Sequence, residues 1–183
     1  MEFDATALSG VWVLRPVGID DERGSFARTF CAAEFREHGI DPHVEQCSCS
    51  RNPKAGTLRG LHVQRAPHGE TKLVRCTRGE IFDVAVDLRP QSPTFGRFHS
   101  ELLSDENATA VVIAPGVAHG FVSLVPDSEV WYQMSVAYEP DAATGVRWDD
   151  PDLAIPWPTD ETPPFTVSAR DRALPSLLSW SSS

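Results

Sequence analysis

The stretch EIFDVAVDL, residues 80–88, decides the fold. Read with a period of two, it puts Phe82, Val84, Val86 and Leu88 on one face and Ile81, Asp83, Ala85 and Asp87 on the other. An apolar face turned to a core and a second face carrying two acids is the pattern of a half-exposed strand; the alternative for the two acids is the lining of a ligand cavity. Short apolar runs of the same kind flank it on both sides: VWVLRPV, GSFARTF, VEQCSCS, TLRGLHV and KLVRC before it, RFHSELL, TAVVIAP and EVWYQMSVAY after it. Turn residues such as Gly24, Asn52-Pro53, Gly79, Pro115-Gly116 and Pro126-Asp127 divide them. Many short strands with no helical runs between them predict an all-β sandwich or barrel. Only CAAEFREHG (Cys31 to Gly39) has helical character, with Gly39 suited to its end. Beyond about residue 139, proline and acid dominate (WDDPD, IPWPTDETPP), which predicts an extended segment packed over the domain by Trp148 and Trp157.

A chain of 183 residues is long enough for one domain with a substantial core. The expected unit is residues 1–183, with about 176–183 (ending SWSSS) a loosely ordered tail. No apolar run approaches the ~18 residues of a membrane span, and MEFDATALSG lacks the basic and apolar regions of a signal peptide, so a cytoplasmic location is expected. The formal net charge of −10 argues against a nucleic-acid partner, whose binders carry a basic stripe. It leaves room for a small anionic ligand held by a few local cations. The four cysteines form no CxxC pair, and Cys47-Ser48-Cys49 is too tight for an ordinary disulfide, so free, half-buried thiols are expected.

The chemistry concentrates in a few places. In LRGLHVQ (residues 58–64), strict alternation sets His62 and Arg59 on opposite faces, so both reach one ligand only if the strand bulges, and Gly60 is where it would do so. His119 follows a Pro-Gly turn in APGVAHGF, a pattern similar to the second metal motif of cupin barrels. The first cupin motif needs His-x-His, whereas His62-Val63-Gln64 stands here, so no metal is expected. Lys72 is one of only two lysines among 16 basic residues; a partly buried lysine can take part in chemistry where arginine stays a fixed charge. Tyr132 and Tyr138 are six residues apart, which in a regular strand gives them a common face, one able to donate a proton and the other to stack on a planar ring.

RGLHVQ, KLVRCTRGEIFDVAVDLRPQSPTFG, APGVAHGF and the WDDPDLAIPWP tail together resemble the dTDP-4-dehydrorhamnose 3,5-epimerase family, from about Val11 to Pro175. The resemblance implies a cupin-type β jelly roll with a few short helices and an extended C-terminal segment, a homodimer, and catalysis without metal or cofactor on a nucleotide-linked 4-keto-6-deoxyhexose. It makes His62 the base, Tyr132 the acid, Lys72 the cation beside them, and Asp171, in a Ser-x-x-Asp run from Ser168, the partner of the base. It gives substrate-holding roles to Arg23, Phe26, Gln46, Arg59, His119 and Arg170, and a stacking role on thymine to Tyr138. The chain departs from the family pattern on the nucleotide side: Arg28 replaces a common glutamate, Gln46-Cys47-Ser48 replaces Gln-Asp-Asn, Ala143 falls where a glutamate is usual, and Arg170 is a conservative change.

Those roles make chemical sense, because hydrogens at C3 and C5 are acidic only through the C4 ketone between them. A histidine titrates near neutrality and can take such a proton, a lysine can stabilise the enolate, and a tyrosine can return a proton to the opposite ring face. The implied reaction is inversion at C3 and C5. A single-centre C3 or C5 epimerase is an alternative, as is, from another class, a cupin that binds a sugar nucleotide without turnover or uses a metal.

Overall fold

The structure, a computed structural model, describes residues 1–160 and 162–181. In chain order the strands are β1 (Glu2–Ala5), β2 (Val11–Arg15), β3 (Gly18–Asp21), β4 (Gly24–Ala27), β5 (Gln46–Asn52), β6 (Thr57–Gln64), β7 (Lys72–Arg78), β8 (Glu80–Asp87), β9 (Phe98–Ser104), β10 (Ala110–Ile113), β11 (Val117–Ser123), β12 (Ser128–Met134), β13 (Ala143–Gly145) and β14 (Thr166–Val167). Three short helices accompany them: α1 (Ala32–Glu37), α2 (Ala169–Arg172) and α3 (Leu177–Ser181). One sheet has the order β1-β2-β10-β7-β12-β5. The second runs β13-β6-β11-β8-β9, with β14 parallel to the start of β6. The two sheets face one another as a jelly-roll barrel, and β3–β4 stands apart as a two-stranded hairpin. The N-terminal run VWVLRPV supplies β2, which pairs within the chain to β1 and β10.

The two faces of β8 correct the expectation drawn from EIFDVAVDL. Its mixed face points into the barrel, where Ile81 and Ala85 pack with Val74, Val111, Phe121 and Val130 from both sheets. Its purely apolar face points outward, and Val84, Val86 and Leu88 are nonetheless fully buried. The C-terminal segment covers them: Leu153, Trp157 and Leu177 lie on this face together with Leu58, Leu61 and Val122 of the neighbouring strands. Burial of each such side chain contributes about 1.5–3 kcal/mol, so the segment is a third layer of the core. Trp157 makes edge contacts to Phe82 and Trp148 and donates its indole N–H to the Trp148 carbonyl, as the two tryptophans led one to expect. Residues 177–181, placed by the sequence in a loose tail, form α3; Leu177 is buried and the Trp180 indole donates to the Leu88 carbonyl at 2.9 Å. Residues 182–183 of that tail lie outside the described residues.

Both acids of β8 are buried, so neither belongs to a solvated face. Asp87 accepts from Arg89, Ser92 and Thr94. Burial pushes its carboxyl up, but those hydrogen bonds outweigh it and hold it far below the usual carboxylate range. On the outer face of the other sheet, α1 lays Phe35 onto Leu14, Leu73 and Val112, with Phe3 and Phe30 edge-on. Six residues make no stable helix in water alone; the buried Phe35 anchors it, and Gly39 in the left-handed region ends it. All four cysteines are free: Cys76 is buried and Cys31 half-buried, but Cys47 and Cys49 are exposed on β5, against the expectation of half-burial.

Candidate active site

The site begins with the irregularity in β6. Against β11, His62 pairs with His119 and Arg59 with Phe121, so three steps along β6 match two along β11. The extra residue is a bulge, and it lets both His62 and Arg59 point into the barrel while Leu58, Leu61 and Val63 point out to the covering layer. Gly60 carries it with φ of +134°, and a methyl group there would sit 2.5 Å from the Gly120 Cα. The glycine that weakens the strand is what brings the two side chains to one face.

Strand register then stacks the inward residues in layers. Nearest the mouth are Gln64 of β6, Lys72 of β7, Met134 of β12 and Gln46 of β5, with Met134 paired to both Lys72 and Gln46. Next come His62 and His119 on one sheet and Tyr132, Val74 and Ser48 on the other. Arg59 lies further along β6, away from the Gln64 end, and is exposed, its Nε donating to the buried Asn52 at 3.0 Å. A cavity of about 430 Å³ opens on the first two layers; Gln46, Ser48, His62, Glu70, Lys72 and Tyr138 are among its walls. That size suits a sugar with part of a nucleotide.

His62 Nε2 lies 2.8 Å from Asp171 Oδ1, and its side chain is 39% exposed against 6% for the carboxylate. Asp171 is fixed from three sides. Its second oxygen accepts from the Gly60 N–H, its own N–H donates to Ser168 Oγ, and Ser168 is the N-cap of α2. The Ser-x-x-Asp run is therefore a helix cap that delivers a carboxylate to His62. Burial pushes the Asp171 carboxyl up, but the His62 contact and the Gly60 and Ser168 hydrogen bonds outweigh it and leave it below its ordinary value.

Lys72 Nζ is 2.9 Å from Glu70 Oε1 and 3.5 Å from the His62 carbonyl, with both side chains nearly buried. The other Glu70 oxygen accepts from Gln64 Nε2 at 3.0 Å. On the opposite sheet Tyr132 is half-buried, packs edge-on to His119 at 5.9 Å between ring centres and, like it, stands behind the residues that line the cavity. Burial pushes the Tyr132 phenol well up, the negative charge of Asp83 adds to this, and Arg59 opposes it. The phenol therefore keeps its proton. His119 itself is buried, its Nε2 2.6 Å from Asp83 Oδ2, and it does not line the cavity.

Tyr138 departs from the expectation of a shared strand face. β12 ends at Met134, so Tyr138 sits in the following loop at the cavity mouth, 52% exposed. Gln46 accepts its backbone N–H at 3.0 Å, and Arg170 donates to its hydroxyl at 3.2 Å and to the Ala143 carbonyl. Gln46 and Arg170 thus hold Tyr138 as well as lining the cavity. Arg23 and Phe26 are not brought in: both lie on the exposed β3–β4 hairpin, and Arg23 bonds its neighbour Asp21. Sequence reasoning missed Glu70, Gln64 and Asp83 as partners. Glu70 had a signal, since two residues before Lys72 in an extended chain is the same face.

Comparison with known proteins places the chain as a whole. The dTDP-4-dehydrorhamnose 3,5-epimerase family model matches residues 5–179. A dTDP-4-dehydrorhamnose 3,5-epimerase of Methanothermobacter thermautotrophicus is 44% identical over 171 residues, covering 93% of this chain and 91% of that one. Among solved structures, a dTDP-6-deoxy-D-glucose-3,5-epimerase of Legionella pneumophila in complex with dTDP-4-keto-L-rhamnose superposes with a TM-score of 0.89 at 36% identity, covering 97% and 93% of the two chains. A 3'-monoepimerase of Streptomyces bikiniensis in complex with dTDP-quinovose gives 0.87 at 37% identity, covering 94% and 86%. The cavity with its histidine–carboxylate pair is thus set in a frame shared over nearly the whole chain, and the chain belongs to the dTDP-4-dehydrorhamnose 3,5-epimerase family.

Proposed function

We propose that this enzyme inverts C3 and C5 of dTDP-4-dehydro-6-deoxy-D-glucose to give dTDP-4-dehydro-L-rhamnose, using its own side chains alone. One observation carries the reading: His62, held by Asp171, and Tyr132 stand on opposing sheets in the same layer. A sugar ring between them presents one face to each. His62 takes the proton beside the C4 ketone, and the electron pair moves onto the ketone oxygen. Lys72 in the same cavity stabilises that enolate oxygen, and Asp171 stabilises the imidazolium. Tyr132 then donates a proton from the other face, which inverts the centre, and each acid–base role contributes about 10²–10⁴-fold. Tyr138 stacks on the thymine at the mouth, flanked by Gln46 and Arg170, while the exposed Arg59 guanidinium serves the phosphates and the buried His119 supports Tyr132 from behind.

The substrate-holding roles of Arg23 and Phe26 need a second copy of the chain. The β3–β4 hairpin exposes Ile19 by 74% and Phe26 by 78%, with a protruding arginine between them, which is apolar surface and charge with nothing to serve in one protomer. A homodimer in which the hairpin reaches the partner's cavity gives both residues a role. Size-exclusion with light scattering tests it: the expected mass is twice 20.1 kDa, and a monomer sinks this part of the proposal. The free thiols fit a reducing compartment, in line with cytoplasmic action.

Similarity to a 3'-monoepimerase favours one second reading, inversion at C3 only. Proton NMR of the substrate with the enzyme in D₂O separates them. Deuterium at both C3 and C5 with altered ring couplings is expected; label at C3 alone selects the second reading, and no exchange overturns both.

A further inference from the structure

Lys72 is the cation that the proposed reaction asks to meet a developing enolate, and its charge is already engaged. Glu70 Oε1 lies 2.9 Å from Lys72 Nζ, with the glutamate side chain 9% and the lysine 12% exposed. A carboxylate inside a site that must stabilise negative charge works against the field the reaction needs, so its presence requires a reason. The rest of its contacts supply one. Glu70 Oε2 accepts from Gln64 Nε2 at 3.0 Å, and Gln64 is itself 3% exposed. The same Gln64 amide faces the carbonyls of His68 and Ala137, and its oxygen accepts the Glu139 N–H at 2.6 Å. Ala137 and Glu139 bracket Tyr138 in the chain. One carboxylate therefore touches the cation at the reacting end of the cavity and, through one glutamine, the loop that holds the aromatic ring at its mouth.

We propose that Glu70 is a positioning residue that sets the Lys72 ammonium against the substrate oxygen and ties that setting to the Tyr138 loop through Gln64. The inference rests on the epimerase reading above. An ammonium on a four-carbon stem has many rotamers, and holding it in one removes an ordering cost from the reaction step. The titratable groups that share its cavity are Glu70 on the connection before β7, His62 on β6, Arg170 on α2 and Tyr138 on the loop after β12, with Asp171 behind His62. Of these, Glu70 alone is in ion-pair contact with Lys72.

A double-mutant cycle with deuterium wash-in as the rate tests the role. Glu70→Gln keeps the size and an acceptor for Gln64, but it replaces the carboxylate that fixes the ammonium. The expected result is a fall in kcat of about 10²-fold with KM changed less than about threefold, the signature of lost positioning rather than lost binding. In a Lys72→Met background the same substitution is expected to cost less than about threefold, because the group it acts through is gone. Glu70→Ala also breaks the Gln64 contact and is expected to weaken dTDP binding, read by calorimetry, where Glu70→Gln does not. Equal losses from Glu70→Gln in both backgrounds, in protein that still binds dTDP, would overturn the proposal while leaving the epimerase reading intact. An inactive wild type would overturn that reading and this inference together.

Discussion

The histidines that pair across β6 and β11 each meet a carboxylate, and the two pairs have opposite relations to solvent. His119 and Asp83 are both nearly buried, their side chains 5% and 2% exposed, so each partner serves mainly the other. In His62 and Asp171 only the carboxylate is buried, and the imidazole opens onto the cavity. The pairing alone does not mark a base. What distinguishes His62 is that its ring is held by Asp171 on one side and lines the cavity, the geometry that the proposed role as base requires. Two histidines paired in register across β6 and β11 thus differ in what they can meet: His62 a ligand in the cavity, His119 only its buried neighbours.

That contrast predicts a crossing of effects. His62→Ala is expected to lower kcat by about 10⁴-fold, the upper end for an acid–base group, with a melting temperature close to that of the parent. His119→Asn should do the reverse in stability. It leaves Asp83 as a buried carboxylate without its partner, at a cost of about 3–5 kcal/mol, read as a lower urea midpoint. Equal destabilisation by the two substitutions would erase the distinction between the pairs. Tyr132, which packs on the buried pair and is the proposed donor opposite His62, sharpens it. Tyr132→Phe is expected to lose about 10²-fold in epimerised product while C–H exchange into D₂O continues, since His62 still removes and returns protons on its own face. A parallel loss of exchange and product would remove Tyr132 from the donor role.

Much of this was legible in the sequence, and the failures have a common cause. The strand pattern, the helix at residues 31–39 and the need for a bulge at Gly60 follow from local rules that the fold obeys. The Ser168-to-Asp171 cap is also local, but its target, His62, lies 109 residues away and entered only through family resemblance. Alternation in β8 assigned two faces correctly and their surroundings wrongly, because burial of the outer face depends on a segment that arrives some 65 residues later. Tyr132 and Tyr138 were placed on one face by a period that stops at Met134. Arg23 and Phe26 carry no local sign of which surface they serve, and within one protomer they serve none.

The smallest effect tests the open pair from its carboxylate side. Asp171 sits below its ordinary value in the folded protein, against about 3.9 for an unfolded aspartate. A carboxyl with a depressed folded value binds its proton more readily when unfolded. The stability it contributes is therefore complete above about pH 4 and is lost as pH falls through the lower folded value. Asp171→Asn keeps the shape and removes the titration. At pH 7 it is expected to cost about 1.5–3 kcal/mol, the scale of a hydrogen bond to a charged group. Between pH 5 and pH 3 the gap between parent and variant urea midpoints should narrow, because the parent loses what the variant never had. A gap that held constant over that range would mean that the carboxylate contributes through shape and hydrogen bonds alone. The support for the imidazolium at His62 would then have to come from elsewhere in the cavity.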